Sequence, residues 1–157
     1  MMENTAFDIL RAVFGAFCGT VGFAVLMHVP KKSWLPSGLI AAGSYLIYVL
    51  LTRAGLSEPA GIFMGAVFGS LTGQICARKM KIIGTVFLMS AIVPVVPGLG
   101  LYRMMAFLGQ GRTADGAELG IQAMITIAMI ALGMGVGSYI DRLIVHRVLK
   151  KRNGLRM

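Results

Sequence analysis

The chain has 157 residues, of which 57% are apolar and only 13% charged, and it carries a formal net charge of +9. Its apolar residues come in long unbroken runs, which is a membrane composition and leaves no room for a soluble catalytic domain. The basic residues collect between and after those runs, a pattern that speaks for membrane topology and against nucleic acid as a partner.

Five stretches lack Asp, Glu, Lys and Arg altogether: Ala12 to Pro30, Ser33 to Thr52, Pro59 to Ala77, Ile82 to Tyr102 and Leu119 to Ile140. A helix needs about 20 such residues to cross a bilayer. The expected fold is therefore an all-α integral membrane protein, one transmembrane helical domain over 1–157, with spans near 7–27, 36–52, 59–77, 82–108 and 119–140. Lys31, Lys32, Arg78, Lys79, Lys81, Arg142, Arg147, Lys150, Lys151, Arg152 and Arg156 fall on one side of such a bundle, and only Arg53 and Arg112 on the other. The excess of cytoplasmic lysine and arginine in membrane proteins then sets the N-terminus outside and the C-terminus inside. The first apolar run lacks a positive n-region and a small-residue cleavage site, so it reads as a retained span.

In the first span, Asp8 and Arg11 lie three apart on one helical face, which suits an ion pair or two hydrated residues at the helix end. The turn that follows, VPKKSWLP, places Trp34 as an interfacial aromatic and Pro36 in the first turn of span two. Span two carries Ser37, Ser44, Tyr45, Tyr48 and Thr52, hydroxyls that either bond neighbouring helices or face a water path. Cys18 and Cys76 have no histidine partners and read as reduced packing residues.

Span three contains Gly61, Gly65, Gly69 and Gly73, each four residues after the last. On a helix these form one smooth groove against which another backbone can press. The spacing leaves open whether that helix comes from this chain, a second copy in a homo-oligomer, or another protein. Gly15 with Gly19 and Gly133 with Gly137 repeat the interval, which predicts a tight bundle throughout.

The fourth stretch, IIGTVFLMSAIVPVVPGLGLYRMMAFL, is long enough to span but holds Pro94, Pro97, Gly98 and Gly100 near its middle. Proline removes backbone donors and clashes with the preceding turn, so the helix is expected to break near 94–100 and restart about Leu99. Freed backbone groups at membrane depth are tolerated where they line a cavity, and transporters place substrate sites at such breaks. The restarted helix would aim its positive end at an anionic group. Tyr102 and Arg103 follow one turn later. An arginine at membrane depth costs at least about 2.5 kcal/mol on insertion scales, so it has a partner or a task. Arg103 either snorkels or pairs with Asp8, Glu58, Asp115 or Glu118, or else it binds a carboxylate directly. Pro94, Pro97, Gly98, Gly100, Tyr102 and Arg103 are the candidate substrate-binding residues. Gly61, Gly65, Gly69 and Gly73 are the candidate helix-packing residues.

GQGRTADGAE reads as a flexible connector. Asp141 and Arg142 close span five, and the basic tail that follows suits anionic lipid. No catalytic triad, metal-ligand cluster or cofactor motif lies in the spans, which argues against an enzyme. A homo-oligomeric channel lacks a charged or amide-rich ring-forming helix.

The size, the five spans, the early VPKK turn and above all AIVPVVPGLGLYR resemble the smaller membrane component of the bacterial threonine/serine exporter family. That resemblance implies export of threonine, serine or dicarboxylates such as succinate, a larger membrane subunit as partner, and a place in the bacterial inner membrane. It carries Pro94, Pro97, Gly98 and Tyr102 over as motif positions. It also implies use of the proton gradient, and since no carboxylate lies deep in a span, the proton carrier is expected on the partner. The competing reading is a non-transporting scaffold whose working surface is the Gly61–Gly73 groove.

Overall fold

The structure, a computed structural model, describes the backbone of residues 4–154 and side chains over 7–146, so the side chains of Arg147, Lys150, Lys151, Arg152 and Arg156 lie outside the described residues. The described chain is helical throughout: α1 (Asn4–Leu26), a 3₁₀ turn (Lys31–Ser33), α2 (Trp34–Arg53), α3 (Glu58–Met80), α4 (Gly84–Ile92), α5 (Gly98–Gly109) and α6 (Thr113–Gly154). Four of these helices, α1, α2, α3 and α6, are long and apolar enough to cross a membrane. The fourth apolar stretch instead forms α4 and α5, of 9 and 12 residues, each too short to cross alone. Pro94 and Pro97 sit in the turn between them, with the Val95 and Val96 amides both bonded to the Ile92 carbonyl.

The connections are tight. Each of α1, α2, α3 and α5 ends with the next chain amide reaching back five residues: Val29 to Ala24, Leu56 to Leu51, Ile82 to Ala77 and Arg112 to Phe107. This arrangement needs one left-handed residue at each helix end. Gly55 and Gly111 fill two of those positions, but His28 and Lys81 hold the other two at φ 54° despite their side chains. Trp34 donates its indole N–H to the Val29 carbonyl at 2.9 Å, pinning the VPKK turn. The expected loose connector after α5 shrinks to three residues, because α6 already begins at Thr113. There the Arg112 guanidinium lies 4.3 Å from the centre of the Phe107 ring and pairs with Asp115.

α3 is the hub, packing on α2, α4 and α6. A Cβ built on Gly65 would lie 2.8 Å from the Ser44 carbonyl oxygen, and one on Gly61 2.7 Å from Thr52 Oγ1. Gly69 meets Ser44 of α2 and Ala91 of α4, and Gly73 meets Phe87 of α4. The glycine groove is thus filled by this chain's own α2 and α4. One residue further round, Ile62, Ala66 and Ser70 are buried, and here α6 presses in: a Cβ on Gly133 would lie 2.7 Å from the Phe63 carbonyl oxygen, and one on Gly137 2.8 Å from that of Val67.

α1 packs closely on α2, where a Cβ on Gly38 would lie 2.6 Å from the Phe17 ring and 2.9 Å from Val21, but its own glycines lie on the open side. Gly15 and Gly19 have no other atom within 4 Å of a built Cβ, and Cys18 between them is exposed. Asp8 and Arg11 are both exposed and make no ion pair among the described residues.

Gly65→Leu is expected to force α2 off α3 and abolish the folded monomer, since overpacking costs about 1–3 kcal/mol even where side chains can shift and here the obstacle is backbone. Gly15→Leu is expected to leave the fold intact. Size-exclusion profiles and SDS titration of the two variants measure the contrast.

Candidate functional site

Two cavities open at opposite ends of α3. The first, of about 500 Å³, lies where the start of α5 meets the start of α3 and the first third of α6. Pro97 and Gly100 contribute from α5, Glu58 and Pro59 from α3, and Gln122, Thr126 and their apolar neighbours from α6. Pro97 is the N-cap of α5 and offers no side-chain cap; the Gly98 amide bonds the Val96 carbonyl at 2.8 Å, and the Leu99 and Gly100 amides of the first turn have no side-chain cap. Among the described residues Glu58 is the only charged one lining it, and its Oε1 accepts a hydrogen bond from the Tyr48 hydroxyl at 3.1 Å.

Of the candidate residues, Pro97 and Gly100 therefore line the cavity, while Pro94 is half-buried in the turn before it and Gly98 is exposed. Tyr102 and Arg103 are not brought to it. Met104 and Leu108 take the α6 side of α5, close against Gly116 and Gly120, which turns Tyr102 outward to 70% exposure and leaves Arg103 exposed as well. Among the described residues Arg103 forms no ion pair with Asp8, Glu58, Asp115 or Glu118.

The second feature is one that sequence reasoning passed over. Ser70, Gln74 and Arg78 stand four apart on α3, one residue round from the glycines, and they meet Met134, Ser138 and Asp141 of α6. Ser70 Oγ donates to the Met134 carbonyl at 3.1 Å and lies 3.2 Å from Ser138 Oγ. Gln74 Nε2 donates to Ser138 Oγ at 2.9 Å. At the end of this seam the Arg78 guanidinium grips both oxygens of Asp141, whose side chain is only 3% exposed while that of Arg78 is 44% exposed. The sequence places Asp141 beside Arg142 at the close of span five, with no carboxylate deep within a span; the structure buries its side chain against α3 at that end. The available signal was the Ser70-Gln74-Arg78 interval, two polar groups in line with a charge on an otherwise apolar helix. A cavity of about 280 Å³ opens on the same end, lined by Gln74, Ala77, Arg78, Lys81, Ile82 and Gly84.

Among the span-two hydroxyls, Tyr48 takes one of the two expected roles and bonds a neighbouring helix. Tyr48 reaches α3 through Glu58, and Thr52 bonds the carbonyl of Tyr48 in its own helix. The buried hydroxyls of Ser37 and Ser44 have no hydrogen-bond partner among the described residues. Ser44 serves by being small, since its oxygen would sit 2.5 Å from a Cβ on Gly69.

Clefts among apolar helices with a few polar groups in their walls are where membrane proteins hold small ligands. Comparison with known proteins identifies the family. Residues 12–140 match the family described as "Threonine/Serine exporter, ThrE", and the chain belongs to that family. It is 26% identical over 129 residues to a "Probable threonine/serine exporter" of Mycobacterium tuberculosis, covering 82% of this chain and 24% of that protein. It is 31% identical over 121 residues to a "Threonine/serine exporter" of Corynebacterium glutamicum, covering 76% of this chain and again 24% of the relative. The chain thus spans about a quarter of the length of these curated relatives. No solved structure matches it.

Ser138→Ala is expected to cost about 0.6–1.7 kcal/mol, the range found for interhelical hydrogen bonds in membranes, because Gln74 loses its nearer acceptor. Gln74→Leu combined with Ser138→Ala is expected to recover part of that loss. SDS unfolding of the single and double variants gives the coupling.

Proposed function

We propose that this chain is one component of a secondary transporter that exports small hydrophilic carboxylates, acting with a larger membrane partner in the bacterial inner membrane. The observation that carries the reading is the cavity of about 500 Å³ at the Pro97–Gly100 end of α5, in a chain of an exporter family. In this reading α4 and α5 together make a fifth, broken crossing of one transmembrane domain. The end bearing Lys31, Lys32, Arg78, Lys79, Lys81 and Arg142 then faces the cytoplasm, with the N-terminus outside and the C-terminus inside.

The chemistry of the cavity favours a zwitterion. Glu58 repels a second carboxylate but attracts an ammonium group, whereas the uncapped start of α5 attracts the substrate's carboxylate. Gln122 and Thr126 supply hydrogen bonds suited to a hydroxyl side chain. Threonine and serine, the substrates in the relatives' names, meet those demands better than succinate does. Pro94, Pro97, Gly98 and Gly100 shape this end, and Tyr102 with Arg103 offers the outward side of α5 to the larger partner, which completes the substrate path. The scaffold reading draws less support, because α2 and α4 already occupy the glycine groove it would use.

Flux of labelled threonine, serine and succinate in proteoliposomes tests the proposal, with this chain alone, with the larger partner, and with each omitted. Threonine flux that requires both chains is expected; equal flux from the partner alone would sink the assignment. Glu58→Gln keeps an acceptor for Tyr48 but loses the charge. A charged hydrogen bond is worth about 1.5–3 kcal/mol, so the apparent affinity for threonine should fall about tenfold or more. Succinate flux should not fall.

A further inference from the structure

We infer that the basic end of the bundle holds a second binding site for a small carboxylate, built from Arg78, Lys81 and Gln74, in which Asp141 is the built-in competitor. Three observations meet there. The cavity of about 280 Å³ has both Arg78 and Lys81 in its wall, with Gln74 a turn deeper. Its volume is near the lower end of the range for small-molecule sites, about 300–1,000 Å³, and so suits a small molecule. The Arg78 side chain is divided: its guanidinium holds Asp141 on the buried side, yet 44% of the side chain remains exposed.

That division makes Arg78 available. A guanidinium carries five N–H donors, and the bidentate bond to Asp141 uses only one edge of the fork. Lys81 makes no ion pair among the described residues, so the cavity wall carries one cation already shared and one uncommitted. Its left-handed backbone closes α3 and begins the turn into α4, which fixes Lys81 at the cavity instead of on a free loop. Gln74 lines the cavity one helical turn from Arg78, with its Nε2 donating to Ser138 and its amide oxygen left as an acceptor.

Asp141 then does two things. It neutralises Arg78 when no ligand is present, and its own buried carboxylate is thereby kept from standing unpaired. It also lowers affinity, because any incoming carboxylate meets an arginine whose charge is already balanced. A weak site is what an exporter needs on the side where it collects its cargo, since a tight one would hold the molecule back. The identity of the ligand rests on the transport reading above; the site itself does not, and binding is measured without flux.

The full chain in phosphatidylcholine nanodiscs, which present no anionic headgroup, is titrated calorimetrically with succinate and with L-threonine at constant ionic strength. Asp141→Asn is expected to tighten succinate binding at least fivefold, and Arg78→Gln to weaken it at least tenfold. Lys81→Gln, an exposed substitution that leaves the Arg78–Asp141 pair untouched, is expected to weaken it at least threefold. The exchange Arg78→Asp with Asp141→Arg rebuilds the pair and should restore stability without restoring the affinity. Unchanged or weaker binding in a monodisperse Asp141→Asn protein overturns the proposal, as does wild-type affinity in Lys81→Gln if the asparagine variant does not fold. Binding that behaves as expected while reconstituted flux is absent would leave this site standing and remove the transport reading instead.

Discussion

The close approach of backbones around α3 is the constraint on which the rest of the molecule depends. In lipid, apolar side chains gain little by leaving one apolar surface for another, so helices associate through packing and polar contacts. α3 obtains that packing by omitting side chains on one stripe and using small ones on the next. Gly61, Gly65, Gly69 and Gly73 admit α2 and α4, while Ala66 and Ser70 admit the glycines of α6. A four-residue interval is 40° in excess of one full turn of a helix with 3.6 residues per turn, so each stripe winds slowly and meets successive partners along its length. That is why the same row of glycines touches α2 at its beginning and α4 at its end.

Close packing also explains where polar groups are permitted. A backbone pressed against another leaves no room for water, so hydroxyls at those contacts, such as Ser44, are held by size alone. Between α3 and α6 the arrangement differs, because Ser70, Gln74, Ser138 and Asp141 bond one another or Arg78. A buried ion pair contributes little net stability over an apolar pair of the same shape, yet it is costly to break on one side. The Arg78–Asp141 pair, buried on its Asp141 side, joins α6 to α3 at this end of the seam.

Much of this was legible in the sequence, and the exceptions share a cause. α2 and α3 follow the charge-free runs to within three residues at each end, and α4 and α5 are separated by the segment that holds Pro94 and Pro97. α6 ran beyond expectation to Gly154 because nothing in Asp141-Arg142 stops a helix; a charge marks the membrane edge, not the helix end. The site was legible only in part. Spacing says which residues share a face, but not which face a short helix turns inward. On α5 the choice was made by Met104 and Leu108 against Gly116 and Gly120, a contact 12 or more residues away in sequence for Met104, and it sent Tyr102 and Arg103 outward. Gly15 and Gly19 fail for the same reason: the interval is right, but no helix of the described chain comes to meet them.

The two cavities are tied together by the charges at the ends of a single helix. Glu58 opens α3, and Arg78 and Lys79 stand in its last turn. Negative charge at a helix start and positive charge at its end both complement the helix dipole, so the placement that stabilises α3 also gives each cavity its sign. At 1.5 Å per residue a helix of 23 residues holds its ends about 35 Å apart, a distance it cannot change. The elements around it are held less evenly. α5 is the least held: it has no buried residue, packs substantially only on α6, and is bounded by Pro97 on one side and the left-handed Gly111 on the other. Elements with so few buried contacts lie at the low end of local stability, where opening costs least. The glycine-locked core of α2, α3, α4 and α6 is thus the frame, and the wall of the larger cavity contributed by α5 is the part with the fewest buried contacts to it.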